Sequence, residues 1–225
     1  PARGVTRGGA SSPLRPTGAT ALLYCVMPQI GGETLRDRMS REGQRPLDES
    51  VRITRDVAAA LSYAHSNDVI HRDIKPENVL LSAGEAVVAD FGIALAVSAA
   101  GGTRLTETGL SVGTPHYMSP EQVRGDTADE RSDYWSLGVL LYECATGQLP
   151  FRGESPASIL HQIETSEVVP PSELRDDIPL GLGAMILRCL AQDRDDRWAN
   201  AGELRSALLR VHPQATAFQS GPIQF

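Results

Sequence analysis

Three stretches of this chain hold residues whose types and spacing could do chemistry. His71-Arg72-Asp73-Ile74-Lys75-Pro76-Glu77-Asn78 sets a carboxylate, an ammonium and an amide close together. Asp90-Phe91-Gly92 follows, and Ser119-Pro120-Glu121 comes later. An aspartate that reaches a hydroxyl can take its proton, and a positioned base of this kind gives roughly 10²–10⁴-fold in rate. The side-chain oxygens of Asn78 and Asp90 are hard donors that suit Mg²⁺, which bridges phosphates. Taken singly, each residue reads most simply as part of a surface ion pair. Taken together and in register, they fit phosphoryl transfer, which needs in-line placement and charge neutralisation more than covalent help.

The elements that must position them can be read from the pattern around them. Val79-Leu80-Leu81 and Ala86-Val87-Val88-Ala89 read as two short strands around a turn at Ala83-Gly84, so a hairpin separates the first two motifs. The stretch from Asp90 to Glu121, rich in Gly, Thr and Ser, reads as a loop. Upstream, Asp48 is expected to cap a helix carrying Val51, Val57, Ala58, Leu61 and Ala64 at helical spacing and ending near Asn67. A shorter helix is expected from Thr34 to Arg41, after a buried strand at Leu22–Val26 that Pro28 and Gly31-Gly32 interrupt. Ser132–Thr146 is mostly apolar and stops at Gly147, the pattern of a core helix with a glycine at its end. Three more helices are expected near 155–164, 180–191 and 200–211. Residues 1–20 read as a disordered tail or linker, 21–212 as the domain and 213–225 as a flexible tail.

H-R-D-x-x-x-x-N, D-F-G and a variant of A-P-E in this order resemble the protein-kinase family, in its bacterial eukaryotic-like (Hanks-type) serine/threonine class. The resemblance runs from about Leu22 to about Val211. It implies an α+β protein-kinase-like fold, here mainly the α-helical C-terminal lobe with a hinge and a small β-hairpin. It implies transfer of the ATP γ-phosphate, with Mg²⁺, to serine or threonine hydroxyls of protein substrates. Asp73 then stands as the base, Lys75 contacts the transferring phosphate, and Asn78 and Asp90 hold Mg²⁺ and nucleotide. Val26-Met27-Pro28-Gln29-Ile30-Gly31-Gly32 resembles the hinge: Met27 guards the adenine pocket, the backbone of Pro28 and Ile30 bonds adenine, and Leu80 forms the pocket floor. Arg72 is implied to pair with a phosphate on the activation loop. That loop offers Thr103, Thr106, Thr108, Ser111 and Thr114, and Thr106 and Thr108 fall where similar bacterial kinases autophosphorylate. Thr114 is implied to bond Asp73 and Lys75. Glu121 should pair with Arg197, and Asp133 should hold the backbone of the His71–Asp73 turn; both belong to support rather than chemistry.

The chain also departs from the family pattern. The residues before the hinge are too few for a small lobe, no glycine-rich loop is present, and the one lysine, Lys75, already serves the catalytic loop. The chain therefore reads as a fragment of a complete kinase, weakly active or inactive alone, with an exposed apolar face that favours self-association. A truncated gene product that folds poorly or is inert is a second reading, and an inert kinase-like scaffold or interaction module is the alternative from another function class. A small-molecule phosphotransferase is a further one, disfavoured by the long segment that ends in Ser119-Pro120-Glu121.

Composition narrows the field. The chain is 41% hydrophobic and 22% charged, as a globular domain requires. A net charge of −7 and an aromatic content of 5% argue against nucleic-acid or anionic-membrane partners. Cys25, Cys144 and Cys189 are widely spaced and read as free thiols in a reducing compartment. No run approaches the roughly 18 apolar residues that would span a bilayer; the expected location is cytoplasmic, with the full-length protein open to membrane anchoring by segments outside this chain. Arg3, Arg7 and Arg15 before the apolar patch Ala21–Met27 imitate a leader, but that patch runs directly into the hinge-like segment.

Overall fold

The computed structural model of the chain describes residues 31–91 and 115–211. The expected strand at Leu22–Val26, the hinge residues Met27, Pro28 and Ile30, the loop residues Thr106, Thr108 and Thr114, and both tails lie outside the described residues. The element order is β1 (Glu33–Thr34), α1 (Leu35–Glu42), α2 (Leu47–His65), a 3₁₀ turn at Pro76–Asn78, β2 (Val79–Ser82), β3 (Glu85–Val88), α3 (Pro120–Arg124), α4 (Glu130–Thr146), α5 (Pro156–Thr165), α6 (Pro171–Leu174), α7 (Leu180–Cys189), a 3₁₀ turn at Arg194–Asp196, and α8 (Ala201–Val211).

The centre of the lobe is α4, whose residues Ser132 to Thr146 are buried on every side. A helix apolar all round belongs in a core, and this one is wrapped by α2, α6 and α7. Gly138 makes the α4–α7 contact possible, because a Cβ there would meet the Cβ of Cys189 at 2.4 Å. Asp129 caps the start of α4 by accepting from the N–H of Arg131, and Gly147 ends it in the left-handed region. α2 buries Val51, Ile53, Val57, Ala58 and Leu61 against α4, α8 and the sheet. Each of the larger side chains, the valines, the isoleucine and the leucine, contributes roughly 1.5–3 kcal/mol on burial.

The sheet is antiparallel in the order β1-β2-β3. Val79 pairs with Val88 and Ser82 with Glu85, across a two-residue turn with positive φ at both Ala83 (49°) and Gly84 (86°). That geometry matches the right-handed twist of the strands and closes the hairpin tightly. Val79 and Leu81 face the core, while Leu80 is half-buried and sits in register with Thr34 and Val87 on the other face.

Two sequence expectations need correction. Asp48 does not cap α2: the cap position is Pro46, and Asp48 lies in the first turn, where its charge favours the helix dipole. Leu47 begins the helix because it is buried there. The loop from Asp90 does not continue unbroken to Glu121, since Ser119 caps α3 in a reciprocal box with Gln122 and Pro120 takes the first helical position. The short α6 was not anticipated. Among the described residues no helix is long and apolar enough to cross a membrane.

Candidate active site

The loop from His71 to Asn78 joins α2 to β2, and many of its backbone groups are held. Asp133, wholly buried at the start of α4, accepts from the backbone N–H of His71 (2.9 Å) with Oδ2 and of Arg72 (2.7 Å) with Oδ1. His65 Nε2 lies 2.8 Å from the same Oδ2, and its Nδ1 lies 3.1 Å from the hydroxyl of Tyr134. Burial pushes the pKa of that hydroxyl up. A buried carboxylate is costly unless it is hydrogen-bonded, and here three donors compensate it. On the other side, Gln122 of α3 donates to the carbonyl of Arg72 at 3.0 Å. Between these clamps Arg72 sits at φ 66°, a left-handed conformation that costs a non-glycine residue roughly 1–3 kcal/mol.

The buried His71 ring links the loop to the hairpin. The N–H of Asp73 donates to its Nδ1 at 3.2 Å, which leaves Nε2 to donate to the carbonyl of Ala89 at 2.9 Å. Ala89 in turn donates its own N–H to the carbonyl of Asn78 at 2.9 Å. Ala89 is thus tied to the loop through both its polar groups, and Asp90 is the next residue along. Asp90 also has positive φ, 61°, and Phe91 packs edge-on against His71 with ring centroids 4.7 Å apart. Sequence spacing alone separates Asp73, Asn78 and Asp90; these bonds bring the segments that carry them together.

The reactive side chains share one cluster. Lys75 Nζ is 2.7 Å from Asp73 Oδ2. Asn78 Nδ2 donates to the Asp73 carbonyl (2.8 Å) and to Asp73 Oδ2 (3.0 Å). The Asn78 amide nitrogen is therefore committed to Asp73, which leaves its Oδ1 as the free donor atom. A divalent cation fits this set: Asn78 Oδ1 and the exposed carboxylate of Asp90 are hard oxygens. Among the described residues no group of three His, Cys, Asp or Glu is placed to hold a metal ion. The Asp73 carboxylate is more than half exposed. Leu80 lies on the less buried face of the sheet beside Val87.

Behind the loop stands a second layer. Arg197 donates to both oxygens of Glu121, at 2.8 and 3.0 Å, and both side chains are buried. Burial works to raise the Glu121 pKa, but Arg197 and the Ser132 hydroxyl (2.7 Å) outweigh it and lower it to about 2. Arg197 also donates to the carbonyls of Ala191, Arg131 and Gln192, and its guanidinium lies 5.0 Å from the centre of the Trp135 ring. This pair fixes α3, and with it Gln122, against α4.

Several residues in this support were not singled out from the sequence: His65, Gln122, and a cluster built from Arg36, Glu77, Tyr117 and Glu143. Arg36 contacts Glu77 and Glu143 at 2.8 Å each and the Tyr117 hydroxyl at 2.5 Å, and Tyr117 in turn donates to Glu143. Burial, and then the charge of Glu143, push the Tyr117 hydroxyl pKa up. A signal was present in one of them. Glu143 is the lone acid in the apolar run Leu140-Leu141-Tyr142-Glu143-Cys144, and a buried acid needs a partner.

The loop is clamped between a helical core and a β-hairpin, and in it Asp73 meets both Lys75 and Asn78, the arrangement of a kinase-type large lobe. The chain belongs to the protein kinase family: the profile of the protein kinase domain matches residues 17–208. It is 44% identical over 197 residues to serine/threonine-protein kinase PknB of Mycobacterium leprae, covering 87% of this chain and 31% of that protein. It is 43% identical over the same length to PknB of Mycobacterium tuberculosis, with the same coverage. A probable serine/threonine-protein kinase of Clostridium acetobutylicum is 39% identical over 189 residues, 84% of this chain and 28% of that one. The chain thus spans about a third of the length of these curated relatives.

Proposed function

We propose that this chain supplies the large lobe of a serine/threonine protein kinase that transfers the ATP γ-phosphate to serine or threonine hydroxyls of protein substrates. The observation that carries the reading is the contact set around Asp73, to which Lys75 and Asn78 both bond. Asp73 accepts the proton of the incoming hydroxyl. Lys75 holds Asp73 in place and offers its charge to the transferring phosphate. Asn78 and Asp90 hold Mg²⁺, which supplies charge neutralisation at the phosphates. Met27, Pro28 and Ile30 are assigned to the adenine side of the site, with Leu80 as its floor. Thr114 is assigned to the bond with Asp73 and Lys75 that shapes the substrate pocket. Protein substrates, self-association through an apolar face where a small lobe would dock, and a location in the cytoplasm belong to the same proposal.

Thr106 and Thr108 are proposed as phosphorylation sites whose phosphates dock on Arg72. One feature of Arg72 favours this. Its Nε is buried and has no hydrogen-bond partner among the described residues. A buried unpaired guanidinium nitrogen is costly, and a phosphate is a fitting acceptor for it.

The test of the catalytic assignment uses this lobe in a protein extended upstream by a small lobe, its own or that of a close relative. Asp73→Asn keeps size and shape and removes the base. Phosphate transfer to a serine- or threonine-bearing peptide should fall by about 10²–10⁴-fold. An active parent whose rate is unchanged by Asp73→Asn overturns the assignment.

A further inference from the structure

Outside the site described above, a cavity of about 550 Å³ lies between α7 and α8, lined by Arg188, Trp198, Asn200, Glu203, Ser206 and Arg210. Glu203, Ser206 and Arg210 recur at helical spacing and so share one face of α8. Most described arginines meet a carboxylate, as Arg36, Arg45 and Arg197 do. Arg188 and Arg210 do not: among the described residues neither has an ion-pair partner, although both are exposed on one cavity. Arg188 is nevertheless fixed in place. Its guanidinium lies 4.2 Å from the centre of the largely buried Trp198 ring, and its Nη2 is 3.5 Å from the carbonyl of Arg197. A guanidinium held over an aromatic face loses little further freedom when it takes up an anion. Asn200 is also set: its Oδ1 accepts the N–H of Glu203 at 2.9 Å, which leaves its Nδ2 as an unused donor.

We infer that this cleft binds a phosphorylated serine or threonine on a protein segment, with the phosphate between Arg188 and Arg210. The donor set exceeds what a carboxylate uses. Two guanidinium groups, the Ser206 hydroxyl and the Asn200 amide suit three phosphate oxygens bearing about −1.5 to −2 charges. The cleft also holds one carboxylate, Glu203, which selects a segment with a basic residue beside the phosphorylated one. The inference rests on the proposed activity only in that this activity generates such segments. Binding itself needs no turnover.

The experiment titrates the chain with a synthetic peptide holding one phosphothreonine flanked by arginine, and with its unphosphorylated twin. Fluorescence anisotropy reads the binding, and the emission of Trp198 reports the movement of Arg188. The phosphorylated peptide should bind at least about tenfold more tightly than its twin. Arg188→Gln and Arg210→Gln should each weaken it about tenfold, as the loss of one charge-assisted bond requires. Added salt should weaken it further. Arg210→Gln should keep the parent's melting curve, whereas Arg188→Gln also gives up the stacking on Trp198 and should lower it slightly. Arg210→Gln, which breaks no contact among the described residues, is the cleaner of the two. Equal binding of the two peptides, or full affinity in the folded Arg210→Gln protein, overturns the inference. Asp73→Asn should leave peptide binding intact, so failure of the cleft and failure of the kinase reading are told apart.

Discussion

Protonating Glu121 should unlock the lobe. Its carboxylate has a pKa of about 2 in the folded protein against 4.5 for the ordinary group, because Arg197 and Ser132 hold the charged form. A folded pKa below the unfolded one gives stability that is complete above the unfolded pKa and lost as pH falls through the folded one. The difference of roughly 2.5 units corresponds to about 3 kcal/mol, of which about 2 kcal/mol is already gone at pH 3. Against a total stability of roughly 5–15 kcal/mol this is a large share. The assay is urea unfolding at pH 6 and pH 3, of the chain and of Glu121→Gln. The parent should lose about 2 kcal/mol more than the variant between the two pH values, at equal denaturant slope. At pH 6 Glu121→Gln should itself be less stable by about 3–5 kcal/mol, since it leaves the buried Arg197 without its counter-charge. Equal pH dependence in the two proteins would refute the claim that Arg197 holds the carboxylate.

Two further perturbations probe the loop. Asp133→Ala strips acceptors from the buried N–H groups of His71 and Arg72; at about 1–3 kcal/mol for each orphaned donor, unfolding should shift by about 2–6 kcal/mol. A shift under 0.5 kcal/mol would show that water or another group takes over these donors. In a protein with a small lobe, replacing Thr106 and Thr108 with alanine and replacing Arg72 with alanine should each lower activity, and the combined variant should lose little more than either. Additive losses in that double-mutant cycle, or phosphate found by mass spectrometry only outside residues 92–114, would remove the proposed switch.

What the sequence could reveal follows from how far apart the interacting residues lie along the chain. The residues from His71 to Asn78 form one local turn, so their spacing is written in order, and the hairpin of Val79–Ser82 and Glu85–Val88 follows from a run of β-branched and aliphatic residues around one glycine turn. The core helix α4 was legible because burial on all sides demands an unbroken apolar run. α6, only Pro171–Leu174, is too short to show a period. The start of α2 was misread because a buried leucine outweighed a good capping residue, a tertiary effect that no local rule contains. α3 was legible in principle, since Ser119-Pro120-Glu121-Gln122 is a capping box with proline at the first helical position. The Arg36–Glu77–Tyr117–Glu143 cluster joins four segments distant in the chain, and a pattern of spacing cannot show which distant charges meet.

Arg72 shows why that division has a physical basis. Its left-handed backbone is unfavourable locally, so no propensity could predict it. The conformation persists because Asp133, far downstream, binds its N–H and Gln122 binds its carbonyl. These bonds offset the strain and orient the backbone that leads into Asp73. Among the described residues, the Arg72 Nε is buried and has no hydrogen-bond partner. The chemistry of the loop is thus local in sequence, and the energy that holds it in shape is not. Substitutions at Asp133, Gln122 or His65 should therefore disturb the placement of Asp73 while touching no substrate.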